Sequence, residues 1–135
     1  MGEIFNCDTR PLVLVVDDDA FVRAEMVEML DVAGFEVAEA DCVSVALAYL
    51  ERHGDSVSML LTDLHMPGSR NGATLANHVS FIWPHIHVLV ISGAKQPIEG
   101  ELPYGSDFLR KPLTADALSA YVARFPTDIL PHRAH

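Results

Sequence analysis

Two kinds of apolar spacing alternate along the chain. Short continuous runs rich in Val, Leu and Ile read as strands buried on both faces, whereas apolar residues recurring every three or four positions read as helices with one covered side. "LVLVV" (12–16) is the first strand, and Val22, Met26, Met29, Leu30 and Ala33 predict a first helix stopped at Gly34. "FEVAEA" (35–40) is the second strand. Asp41 then caps a helix whose apolar side carries Val43, Ala46, Leu47 and Leu50, ended by Gly54. "VSMLLT" (57–62) is the third strand, and a third helix runs from about Gly72 until Pro84 forbids continuation. "IHVLVIS" (86–92) is the fourth strand and "SDFLR" (106–110) the fifth. Thr114 caps a last helix bearing Leu118, Tyr121, Val122 and Phe125, closed by Pro126.

This alternation predicts an α/β fold, a parallel sheet covered by helices on both sides. One crossover breaks the rule. "AKQPIEGELPYG" (94–105) occupies the place of a fourth crossover helix, but Pro97, Gly100, Pro103 and Gly105 interrupt any helical pattern, so a loop with at most one short turn is expected. With 135 residues, half of them hydrophobic, the chain suffices for one domain with its own core. The expected division is a tail over 1–10, a domain over 11–126 and a second tail over 127–135.

Charge narrows the function. Asp plus Glu number 19 against 9 Lys plus Arg, a formal charge of -10, and the basic residues form no stripe. Direct nucleic-acid binding is therefore not expected. Cys7 and Cys42 fit no metal or redox spacing, and no apolar run approaches the length of a membrane span. A cytoplasmic protein without membrane insertion is the simplest expectation.

The polar residues collect at the carboxyl ends of the strands, where open parallel sheets bind ligands. The first strand ends in Asp17, Asp18 and Asp19, the third in Asp63, the fourth in Ser92, and Lys111-Pro112 follows the fifth. Gathered carboxylates repel one another unless protons or a divalent cation hold them, and an all-oxygen set suits Mg²⁺ bridging protein carboxylates to phosphate oxygens. A lysine for phosphoryl charge and a hydroxyl donor complete a site suited to phosphoryl transfer, with a carboxylate as nucleophile.

The ordered set "VVDDD", "LLTDLHMPG", "VISG" and "FLRKP", over about residues 11–125, resembles the receiver domain of two-component response regulators. The resemblance implies a flavodoxin-like, doubly wound, five-stranded parallel sheet, with Asp63 as phospho-acceptor. It further implies that Asp18 and Asp63 bind Mg²⁺ directly, Asp17 mainly through water, and His65 through its backbone carbonyl. Ser92 would hydrogen-bond the phosphoryl group and Lys111 would pair with it. Lys111-Pro112 matches a bond that is commonly cis in receivers. Phe108 matches the aromatic position that changes rotamer together with the hydroxyl residue on activation. The implied phosphodonor is a sensor histidine kinase or a histidine phosphotransfer protein; nine residues follow Pro126, and output is expected through protein contacts or phosphate relay if the native chain ends there, a fragment of a longer regulator being the other reading.

Two features depart from the pattern. Four residues, "GSRN", separate Pro67 from Gly72 where the family usually has three, which predicts a differently shaped loop; the second departure is the 94–105 segment. Two other readings stay open. "VVDDDAF" also resembles the start of haloacid-dehalogenase-like phosphatases, with Asp17 as nucleophile, Asp19 as acid/base and Ser92 and Lys111 in support, although Asp116 lacks the acidic neighbour those enzymes use. A receiver that binds partners without phosphorylation is the third. Asp19 could equally be a plain helix cap. His65 is expected to line the site. His85 and His87 share a strand face, but two ligands do not make a zinc site.

Overall fold

The computed structural model describes residues 10–65, 71–93, 97 and 100–124. Five parallel strands run in the order β2-β1-β3-β4-β5, with β1 at Leu12–Val16, β2 at Glu36–Ala40, β3 at Val57–Asp63, β4 at His87–Ser92 and β5 at Asp107–Arg110. The helices are α1 (Ala20–Val32), α2 (Val43–His53), α3 (Gly72–Ile82) and α4 (Ala115–Val122).

Alternate strand residues point to opposite faces, so each apolar strand feeds two cores. Leu14, Val16, Leu60, Val88 and Val90 pack under α2 and α3, joined by Ala46, Leu50, Leu75, Ala76 and Val79. Val13, Val15, Met59, Leu61, Leu89 and Ile91 pack on the other face under α1 and α4, against Met26, Leu30, Leu118 and Tyr121. This doubly wound arrangement is the expected one, and it explains why β1 reads as an unbroken apolar run. Val13 to Val16 have no exposure because both faces are covered.

The helix ends are specified locally. Asp19 Oδ1 accepts from the amides of Phe21 and Val22, at 2.9 and 3.1 Å, and caps α1. At the other end Gly34 adopts φ 103°, its amide donates to Asp31 O and that of Phe35 to Leu30 O, both at 3.0 Å, closing the last turn as a Schellman motif. Asn71 caps α3 through the Thr74 amide and Thr114 caps α4 through that of Ala117.

Some expectations shift. The residue preceding α2 is Cys42, in extended conformation and without a side-chain cap, so Asp41 stands one position too early to reach the first free amides. Gly54 ends α2 as expected but opens a 3-10 turn, Gly54–Ser56, that leads into β3. Between β4 and β5 the described residues form turns and bends rather than a helix. Asn77 of α3 holds this connection by donating to Glu101 O at 2.8 Å, and Leu102 packs against the α2/α3 core. Phe125 and Pro126, expected to finish the last helix, lie outside the described residues, as does most of "GSRN".

Candidate functional site

In the order 2-1-3-4-5 the chain reverses direction across the sheet between β1 and β3, the place where open parallel sheets form a ligand crevice beyond the strand ends. Asp17 follows β1 and Asp63 is the last residue of β3, so both flank that crevice. Asp17 has no exposure and Asp63 only 9%. Two near-buried carboxylates side by side need compensation.

Lys111 supplies it. Its ammonium donates to Asp17 Oδ2 at 3.0 Å and to Asp63 Oδ2 at 3.2 Å. The Lys111 amide donates to Ser92 O at 3.0 Å, which registers the lysine against the end of β4, and the Lys111-Pro112 bond is cis. Asp63 Oδ1 accepts weakly from the His65 amide at 3.4 Å, while Asp17 Oδ1 accepts from the Asp19 amide at 2.9 Å. Burial lifts the Asp63 pKa above the ordinary carboxylate range and the Asp17 charge adds to this, with Lys111 and the His65 amide offsetting part. Burial pulls Lys111 down, but its hydrogen bond to Asp17 and the two carboxylate charges together outweigh it, and its pKa is raised.

Asp18 joins this pair from the exposed side. One carboxylate oxygen from each of Asp17, Asp18 and Asp63 falls within 4.8 Å of the others. The donor set is hard oxygen throughout and carries one ammonium against three carboxylates, so it fits a divalent cation such as Mg²⁺.

The remaining expected site residues make no hydrogen bond to these carboxylates among the described residues. Ser92 is buried at the end of β4, with no hydrogen bond from its hydroxyl to Asp63 among the described residues. Phe108 pairs with Val90 and packs on the α2/α3 core, with β4 between it and Asp63 on β3. His85 lies at the opposite end of the sheet, with Nε2 at 3.0 Å from Gly54 O. Met66 and Pro67 lie outside the described residues.

A profile for the "Response regulator receiver domain" family matches residues 13–123. The chain belongs to the response regulator receiver family. Its relatives include the response regulator protein FleR of Pseudomonas aeruginosa, 31% identical over 88% of this chain and 25% of that protein, so the receiver spans about a quarter of that relative's length. The response regulator receiver protein CpdR of Brucella abortus is 32% identical over 74% of this chain and 83% of its own. Among solved structures, a response regulator receiver protein from Pseudomonas putida superposes with a TM-score of 0.72 at 28% identity, over 87% of this chain and 98% of that one. Receivers are phospho-accepting elements of two-component signalling. Among the described residues no helix of this receiver is long and apolar enough to cross a membrane.

The phosphatase reading is not favoured. The exposed Asp19 has its Oδ1 engaged by two amides of the first turn of α1, the contacts of a helix cap. Two residues that sequence reasoning passed over also shape the site. Gly72 is buried against the backbone of Asp63 and Leu64, and Arg23 donates to the Asp17 carbonyl at 2.7 Å. A glycine opening a helix and an arginine on a helix face carry no distinctive signal in one sequence.

Proposed function

We propose that Asp63 accepts a phosphoryl group from a phosphohistidine of a sensor histidine kinase or a histidine phosphotransfer protein. The reading is carried by the single ammonium of Lys111 joining Asp17 and Asp63 at the crevice. An Asp63 oxygen attacks phosphorus as the phosphorus–nitrogen bond breaks, the electron pair returns to the imidazole, and an acyl phosphate forms. Lys111 is already within reach of the attacking carboxylate, so it can pair with the phosphoryl oxygens as their charge moves onto the receiver.

Asp18 and Asp63 would hold Mg²⁺ directly, Asp17 through water and His65 through its carbonyl; the ion, when bound, neutralises phosphoryl oxygen charge. Ser92 would hydrogen-bond the transferred group and Phe108 would change rotamer with it, shifting a two-state surface. Output would pass to another protein by contact or by relay of the phosphoryl group. Setting for this chemistry would be the cytoplasm.

Intact-protein mass after incubation with phosphoramidate tests the reading. A single Mg²⁺-dependent phosphate adduct in the wild type, absent in Asp63→Asn, is expected. Stoichiometric phosphate in Asp63→Asn would refute the assignment, and no adduct in either protein would favour a binding module that works without phosphorylation.

A further inference from the structure

The peptide that joins Asp17 to Asp18 is held through its carbonyl, and the peptide before it through its N–H. The Asp17 amide donates to Ala40 O of β2 at 3.2 Å. The Asp17 carbonyl accepts from Arg23 Nη1 of α1 at 2.7 Å, and Arg23 Nε in turn pairs with Glu39 Oε1 of β2 at 3.0 Å. Arg23 is largely covered, with its side chain 19% exposed. A peptide unit is rigid, so fixing the oxygen between two residues constrains the direction in which each side chain leaves it. The guanidinium is a planar fork that can serve two acceptors at once, whereas an ammonium concentrates its charge at one point. Arg23 makes no hydrogen bond to any carboxylate of the acidic cluster; its contacts are the backbone oxygen of Asp17 and the side chain of Glu39.

We infer that Arg23, steadied by Glu39, is a positioning residue that presents the Asp17 and Asp18 carboxylates to a divalent cation by fixing the peptide between them. The inference rests on the reading that this acidic cluster holds Mg²⁺. It also makes a prediction of distinctive sign. Deleting a nearby positive charge, by Coulomb's law, should tighten cation binding, whereas loss of positioning should weaken it.

The test is calorimetric titration of the full chain with MgCl₂, for wild type, Arg23→Met and the double variant Arg23→Met/Glu39→Gln, with thermal unfolding in metal-free buffer to establish that each is folded. Arg23→Met should raise the Mg²⁺ Kd by about 10- to 100-fold, the usual range when a partner of a metal ligand is removed. The double variant, in which the local charge sum equals that of wild type, should keep this loss. A Kd equal to or tighter than wild type in folded Arg23→Met would overturn the inference, as would a double variant returning to the wild-type Kd. Should Arg23→Met fail to fold, Arg23→Lys preserves the charge but cannot span both acceptors. It should weaken Mg²⁺ binding, and an unchanged Kd there would overturn the inference equally. A wild type that takes up no Mg²⁺ would instead remove the metal-site reading itself, a result separable from every outcome in the variants.

Discussion

Replacing Gly72 with alanine should damage both the stability and the chemistry of this receiver. A Cβ built on Gly72 overlaps the carbonyl oxygen of Asp63 and stands 2.8 Å from its carbonyl carbon and 2.9 Å from the Leu64 Cα. All three are backbone atoms, so no side chain can rotate aside. Restoring contacts to 3.0 Å or more moves either the start of α3 or the end of β3 by a distance on the order of an ångström. Overpacking of this kind costs about 1–3 kcal/mol, and the upper end applies where the neighbour is backbone. For a domain of this size that corresponds to a fall in Tm of roughly 10 °C. The displaced atoms belong to the proposed nucleophile's own residue, and misplacing a reacting group by about 1 Å costs on the order of 100-fold in rate. Calorimetric unfolding and the rate of phosphate incorporation from phosphoramidate, followed by mass, read the two effects. Gly54→Ala separates them, because its Cβ would meet Trp83 Cε2 at 2.8 Å and Cδ1 at 2.9 Å, far from the acids. That variant should lose stability and retain the rate when assayed well below its Tm. A Gly72→Ala protein with Tm within about 1 °C of wild type and a rate within about twofold would refute the steric argument.

Three further outcomes are expected. Because the folded-state pKa of Asp63 is raised, the folded protein binds more protons than the unfolded chain once the pH exceeds the ordinary value of 3.8, and stability falls as pH rises through the raised value. Asp63→Asn, which mimics the protonated acid, should therefore gain in Tm over wild type at pH 7 in metal-free buffer and show no gain at pH below 3.8; the same Tm difference at both would contradict the linkage. Saturation with Mg²⁺ at 100 times its Kd should stabilise the wild type by about 2.7 kcal/mol, chelation should reverse this, and Asp18→Asn should abolish most of it in a thermal shift assay. Gly34→Ala places a side chain at φ 103° in the cap of α1 and should cost about 1–2 kcal/mol in urea unfolding.

The parts of this receiver that were legible in the sequence are those dictated by burial and by local backbone chemistry. Strands covered on both faces need continuous apolar runs, which is why β1, β3 and β4 stood out. Gly34 and Thr114 announced the end of α1 and the start of α4 through their own conformational and hydrogen-bonding preferences. The acids at the ends of β1 and β3 pointed to one edge once the strands were taken as parallel. What stayed hidden depends on contacts across the fold. Arg23 looks like any solvated helix residue until Glu39 is placed beside it, and Gly72 looks like a helix start until the end of β3 is seen against it. The Asp41 expectation failed by one position because a cap works only in register with the first free amides, and composition does not set that register. The turns over 100–105 were readable from prolines and glycines, but the attachment of Glu101 O to Asn77 was not.

The amide of Gly72 donates to the carbonyl of Leu64 at 3.0 Å, while the Leu64 amide donates to Ile91 O of β4 at 2.8 Å. The segment that begins after the proposed nucleophile and ends at α3 therefore leaves from and returns to the same residue, itself moored to the neighbouring strand. Closing a span of one residue more adds little chain entropy, since the cost rises only with the logarithm of length. Insertions here can consequently accumulate over evolutionary time at small energetic expense, without passing a register error back to Asp63.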